Sequence, residues 1–265
     1  MTDTAVPTPT PAISRPARRG GASGRWDTAL VLLALLAAWQ ALAWWAGSVA
    51  LASPAATGAR LAGLAATAAF WGHAAETLAA VFAALLISAA GGLALGLALG
   101  AHRFSAEVAE PLLVAFYALP KVTLYPLVLL CFGLGPSAKV AFGALHGLIP
   151  VALFAMGAVR ALPPVLLRTA RVLRLSPWAT VRGVVAPAIL PEIATGLRVG
   201  ASLTLLGVLI GEMFASQRGL GFLINNAMNL NDTATILAVT LLVSTAAVGA
   251  NASLLAFERR LRHPS

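Results

Sequence analysis

Apolar runs at about 28–47, 77–101, 110–132, 138–159, 193–215 and 233–257 alternate with short segments that hold most of the charge. Each approaches the ~20 residues that a helix needs to cross a hydrocarbon layer of roughly 30 Å. The pattern predicts an all-α, polytopic membrane protein with about six transmembrane helices over residues 26–258. Residues 1–25 are rich in Pro, Thr, Ser, Gly and Arg and have little to bury, which predicts a disordered cytoplasmic tail. Residues 259–265 read as a short basic C-terminal tail. The first run also has the marks of a signal peptide, with basic residues before it and Ala50-Leu51-Ala52-Ser53 near its end. Its length, and Trp44 and Trp45 as interfacial anchors, favour a retained helix.

Composition supports the same picture. Hydrophobic residues make up 59% and charged residues 10% of the chain, whereas soluble domains carry roughly 25% charged residues. The net charge of +9 suggests nucleic acid at first sight, but no basic stretch is long or interleaved with aromatics, so no nucleic-acid partner is expected. Arginines gathered at one membrane edge account for it better. With the N-terminus inside, the cytoplasmic segments collect Arg15, Arg18, Arg19, Arg25, Arg103, Arg160, Arg168, Arg171, Arg174, Arg182, Arg259, Arg260 and Arg262. The outer loops keep Arg60, Lys139 and Arg218, while Lys121 and Arg198 fall inside apolar runs. This positive-inside bias places both termini in the cytoplasm. Cys131, the one cysteine, excludes an internal disulfide and is read as buried packing. Gly92, Gly96 and Gly100, four apart on one helix face, read as a close packing seam.

The segment between the fourth and fifth runs is the most informative. Pro164 suits a first helical turn, and Arg168, Arg171 and Arg174 follow at three-residue spacing beside an apolar stripe of Leu166, Ala170 and Leu173. Ser176-Pro177 is a cap-then-proline start for a second helix running to Pro187. This predicts a cytoplasmic helical hairpin over 163–187, apolar on one side and basic on the other. It serves either as an interfacial helix pair touching lipid headgroups or as a docking knob for a partner, with Trp178 facing one or the other.

The stretch from Ala170 to Arg198, with Pro187 and Leu190-Pro191 in it, resembles the cytoplasmic loop of the permeases of binding-protein-dependent ABC importers. The resemblance extends to Tyr117-Ala-Leu-Pro120-Lys-Val-Thr-Leu-Tyr-Pro126, Phe132-Gly-Leu-Gly135, Gly211-Glu212-Met213 and Gly219-Leu-Gly221, and covers roughly residues 30–257. These blocks are similar to the nitrate, sulfonate, taurine and thiamine-precursor branch. The resemblance implies the ABC importer permease (MetI-like) fold in the inner membrane. It also implies a hairpin docked on cytoplasmic ATPase subunits, an extracytoplasmic substrate-binding protein, and a second copy of the chain. Arg168, Ala170, Arg171, Leu173, Arg174, Ser176, Pro177, Trp178 and Pro187 then form the ATPase-coupling loop. ATP and magnesium belong to the partner, and this chain carries no cofactor. Arg168 stands where the family has Glu, Thr169 replaces the first Ala, and Arg174 takes the Gly place. Arginine there implies a hairpin that bends without a left-handed residue and an ATPase groove more acidic than usual.

Lys121 and Glu212 lie within apolar runs, where a charge costs ~2.5–3.5 kcal/mol and usually faces a partner or a wet cavity. Lys121 is expected to line the translocation path, with Glu212 nearby or paired to it; a structural ion pair is the plain alternative. Tyr125 and His146 complete the pathway candidates, although packing accounts for His146 as well. No metal site is expected. The lysines, Lys121 and Lys139, do not follow glycine as a P-loop requires, and no Gly-x-Ser-x-Gly or His-Glu-x-x-His pattern is present. The chain is therefore not expected to be an enzyme, and energy must come from a partner or a gradient. The rival reading is an ion-gradient-driven secondary transporter, for which Glu212 is the one deep carboxylate.

Overall fold

The computed structural model describes residues 23–47 and 50–262. The expected N-terminal tail therefore falls mostly outside the described residues, whereas residues 259–262 of the expected C-terminal tail continue the last helix. In chain order the helices are α1 (Ser23–Ala46), α2 (Pro54–Ala65), α3 (Ala68–Gly100), α4 (Arg103–Ala118), α5 (Tyr125–Phe132), α6 (Pro136–Arg160), α7 (Pro164–Val172), α8 (Pro177–Thr180), α9 (Ala186–Ala215), α10 (Leu220–Asn229) and α11 (Thr233–Arg262). A 3-10 turn over Lys121–Leu124 joins α4 to α5, and a π turn over Val181–Val185 joins α8 to α9. Among the described residues five spans are long and apolar enough to cross a membrane, six if the bent pair α4–α5 counts as one span. The all-α, polytopic expectation holds.

The third span departs from the expectation. The run 110–132 is not one helix: the chain bends by 88° between α4 and α5. Leu119 is extended (φ −61°, ψ 137°) before Pro120, because the proline ring disfavours a helical residue ahead of it. Cys131 is exposed on α5, against the expectation of burial, since this short helix packs one face only. Gly133 and Gly135, both at positive φ (73° and 138°), then turn the chain into α6.

Helix α6 is the central post, lying between α3 and α9. Side-chain-free ridges make this possible. A Cβ added at Gly92 would meet Val151 and the Leu148 carbonyl, and one at Gly96 would run into the Ala152 carbonyl. Gly100 faces Met156 in the same way, so the expected glycine seam is the α3–α6 contact. A second seam joins α6 to α9, where Gly143 and Gly147 face Val208 and Thr204, and Gly200 faces Val151. Lipid offers no hydrophobic drive between helices, so this close approach and its dispersion contacts hold the bundle together. By contrast α1 touches mainly α2 and leaves Trp44 and Trp45 exposed.

Replacing Gly96 by Val should force α3 from α6 and destabilise the protein by about 1–3 kcal/mol or more. Gly63, with open space around it, should accept Val at a far smaller cost. Thermal unfolding in detergent separates the two.

Candidate functional site

Two regions hold the candidate residues, one at each end of α9. The first is the hairpin. Helix α7 buries Ala170 (2% exposed) and half-buries Leu166, while Arg168, Arg171 and Arg174 are exposed. Leu173 does not join the apolar stripe; it is exposed with Val172, because the helix has ended at Val172 and the chain is turning. Arg174 has φ +51°. This overturns the expectation of a turn without a left-handed residue. The reason is the termination itself: Leu175 N–H donates to the Ala170 carbonyl (3.0 Å) and Arg174 N–H to that of Arg171 (3.0 Å). That six-residue closure needs a left-handed residue at position 174, whatever its side chain.

Ser176 then caps α8, its hydroxyl accepting from Ala179 N–H at 3.2 Å, with Pro177 in the first turn. Trp178 points outward, 71% exposed. The second arm does not stop at Pro187. Ala186 N–H reaches back to the Val181 carbonyl, and this wider turn absorbs the missing donor and the ring of Pro187 just beyond it. Residues from Pro177 to Phe214 therefore form one continuous helical span.

The second region is a buried charge cluster at the other end of α9. Glu212 is fully buried, and its partner is Lys139 rather than Lys121: Nζ of Lys139 lies 3.2 Å from Glu212 Oε1 and 3.1 Å from Glu76 Oε1. Lys139, assigned by its sequence position to an outer loop, is 1% exposed on the first turn of α6. The other oxygen of Glu212 accepts from the Thr77 hydroxyl (2.8 Å) and from Gly221 N–H (3.0 Å). Thr77 in turn accepts from Leu220 N–H at 2.8 Å. The free amides and positive end of α10 thus meet a carboxylate from α9. Gly219 (φ +120°) must be glycine here, since a Cβ would sit within the Glu212 carboxylate.

Tyr125 joins this cluster from α5. Its hydroxyl donates to the Gly211 carbonyl at 2.8 Å, and its ring meets Phe142 edge-on at 4.8 Å. Phe142 stacks edge-on against His146 at 4.5 Å, and Nδ1 of His146 lies 2.9 Å from the Phe142 carbonyl. His146 is thus packed on α6, with Gly207 of α9 pressed against its ring. The ammonium of Lys121 goes elsewhere. It donates to the Tyr117 carbonyl (2.9 Å) and sits 5.0 Å over the Tyr117 ring, satisfying an end group of the broken α4. A second buried carboxylate, Glu258 (5% exposed), lies just beyond the last apolar span and pairs with Arg198 at 3.0 Å.

Lys139, Thr77 and Glu76 were not singled out by sequence reasoning. Lys139 falls at the edge of an apolar run, and no spacing rule links it to residues 63 or 73 positions away. Gly211-Glu212 and Gly219-Leu-Gly221 were visible only as blocks of a resemblance. Among the described residues no group of three metal-ligating side chains is suited to a metal ion.

Glu212→Gln should cost about 1.5–3 kcal/mol by weakening the charge-assisted hydrogen bonds at that position, Lys139 keeping Glu76 as its counter-charge. The pair Lys139→Met with Glu212→Leu should cost less than the sum of the single changes, as a double-mutant cycle of unfolding will show. Arg174→Gly should relieve roughly 1 kcal/mol of left-handed strain and slow hydrogen exchange at Leu175 N–H.

Residues 90–263 match the family of binding-protein-dependent transport system inner membrane components. Among relatives, the taurine transport system permease protein TauC of Escherichia coli is 28% identical over 191 residues, 72% of this chain and 70% of its own length. The riboflavin transport system permease protein RibX of Chloroflexus aurantiacus is 34% identical over 134 residues, 51% of this chain and 50% of its own. The nitrate import permease protein NrtB of a Synechocystis strain is 25% identical, over 52% of this chain and 50% of its own length. A helical bundle centred on α6, a hairpin continuous with α9 and a match over residues 90–263 agree: the chain belongs to the family of binding-protein-dependent transport system inner membrane components.

Proposed function

We propose that this chain is the permease subunit of an ATP-driven importer in the inner membrane, with both termini in the cytoplasm. Cytoplasmic ATPase subunits grip the α7–α8 hairpin, a substrate-binding protein delivers solute to the opposite end, and a second copy of the chain completes the path. The observation that carries this reading is the hairpin surface. Arg168, Arg171 and Arg174 are exposed beside Val172, Leu173 and Trp178, whose exposures are 81%, 64% and 71%. An exposed apolar patch rimmed by arginines fits a protein groove with acidic walls better than it fits water.

The mechanism follows from continuity. A rotation imposed on α8 passes through the π turn into α9, and residues 177–215 span on the order of 58 Å at 1.5 Å per residue. At its far end α9 carries Gly211 and Glu212, which hold α3, α5, α6 and α10 together. Movement of the hairpin is therefore felt where α10 is anchored. The two glycine seams let α3, α6 and α9 shift as close-packed rods between discrete arrangements, and the partners bias which one is populated.

The relatives' names point to taurine, nitrate and riboflavin. A small solute, bearing an anionic group in taurine and nitrate, is the substrate class proposed here. Lys121, Tyr125 and His146 are proposed to border its route, with Lys121 supplying positive charge at the α4–α5 break. Catalysis resides on the partner, where ATP and magnesium bind.

Reversing Arg168, Arg171 and Arg174 to Glu together should abolish co-purification of the ATPase and stop uptake, with the helical circular dichroism unchanged. Trp178→Ala should weaken the association at least about tenfold, as loss of a central aromatic anchor does. Uptake that continues after the partner's ATP hydrolysis is blocked would instead establish a gradient-driven transporter.

A further inference from the structure

A cavity of about 530 Å³ opens at the end of the bundle that carries the charge cluster, lined by Glu76, Gly135, Ser216, Gln217 and Arg218. Its size is that of sites for small molecules, which run from roughly 300 to 1,000 Å³. Its charges are arranged unevenly. Behind the wall, two carboxylates share one ammonium: Glu212 and Glu76 both bind Lys139. Glu212 is also served by the Thr77 hydroxyl and by Gly221 N–H. Glu76 has Lys139 as its hydrogen-bond partner among the described residues, and its side chain is 33% exposed. The negative charge left over from this trio is thus presented at Glu76, on the cavity wall.

Opposite charge stands in the same lining. Arg218 is exposed and makes no ion pair among the described residues. Its loop is built rather than slack, since the Ser216 hydroxyl donates to the Arg218 carbonyl (2.6 Å) and accepts from Arg218 N–H (3.2 Å). Gly219 N–H donates to Nδ1 of His73 (3.1 Å), so that ring nitrogen is unprotonated and adds no positive charge there. A cavity whose lining holds an under-compensated carboxylate and a guanidinium, yet no ion pair between them among the described residues, matches a ligand that carries both signs.

We propose that this cavity binds a small zwitterion, its ammonium against Glu76 and its sulfonate or carboxylate against Arg218. That the cavity faces the outer side rests on the importer reading; the chemistry of the site does not. Ser216 and Gln217 offer neutral hydrogen-bonding groups in the same lining. The site lies against the Glu212–Lys139 cluster, so occupancy bears on the same carboxylate, Glu76, that Lys139 holds.

The test is direct binding to the full chain in lipid nanodiscs, read by isothermal titration and saturation-transfer NMR, without ATP or uptake. Taurine and β-alanine serve as zwitterions, methanesulfonate and ethylammonium as single-charge probes. Saturable binding of both zwitterions, with the single-charge probes about tenfold weaker or worse, is the expected result. Glu76→Gln should reduce taurine to the affinity of methanesulfonate, and Arg218→Gln should reduce it to that of ethylammonium. Glu76→Gln also disturbs Lys139, so Arg218→Gln, on an exposed loop, decides the matter if the first variant folds poorly. Absence of saturable binding, equal binding of single-charge probes, or full taurine affinity in Arg218→Gln overturns the proposal. Because the readout is binding, its failure leaves hairpin-dependent ATPase association untouched, and failure of that association leaves this site standing.

Discussion

A carboxylate cannot remain charged inside an apolar bundle unless its surroundings replace the water it has lost. Glu212 sets that condition at one end of α9, and four elements answer it or its neighbour Gly211. Helix α6 supplies an ammonium, α3 a hydroxyl, α10 a backbone amide, and α5 a tyrosine on the adjoining carbonyl. Satisfying a buried ion makes weak net stability, but breaking one partner away is costly. The arrangement thus acts mainly as a register device. The elements meet in one way because every other way strands a charge.

In the function proposed here, that device gives the hairpin something to act on. Without it, a displacement of α8 would dissipate in a flexible end; with it, α9 is anchored to the rest of the core where it terminates. The π turn at Val181–Val185 keeps the helical span continuous across Pro187, whose ring and missing N–H would otherwise break it. Arg174 pays for the sharp turn between α7 and α8 with a left-handed backbone that glycine would adopt freely, and in return leaves a third guanidinium on the exposed face.

The glycine seams set how the core can respond. Gly92, Gly96 and Gly100 bring α3 against α6, and Gly143, Gly147 and Gly200 bring α9 against its other side. At such separations a side chain on one helix sits over backbone of the next. Rods packed this closely slide or rotate as units, since gradual deformation would open voids that lipid cannot fill. Helix α1, held mainly against α2, stands outside this core.

The apolar runs, the basic hairpin and the α3 seam were all readable from residue order, because each is a periodicity within one stretch of chain. Even the α6–α9 seam left glycines at helical spacing that could have been noticed. The bend at Pro120 was half readable: the proline was visible, but whether a helix kinks or breaks depends on what its freed end groups find, and here Lys121 caps Tyr117. The partner of Glu212 was out of reach. Lys139 looked like a loop residue because hydropathy registers its charge and not the carboxylates of α3 and α9 that compensate it. Residue order alone therefore determined which segments are apolar and long enough to cross a membrane. Tertiary structure alone decided which charges meet, because the Coulomb and hydrogen-bond energies that settle a buried ion depend on distance in space, and that distance is set by helix packing rather than by position along the chain.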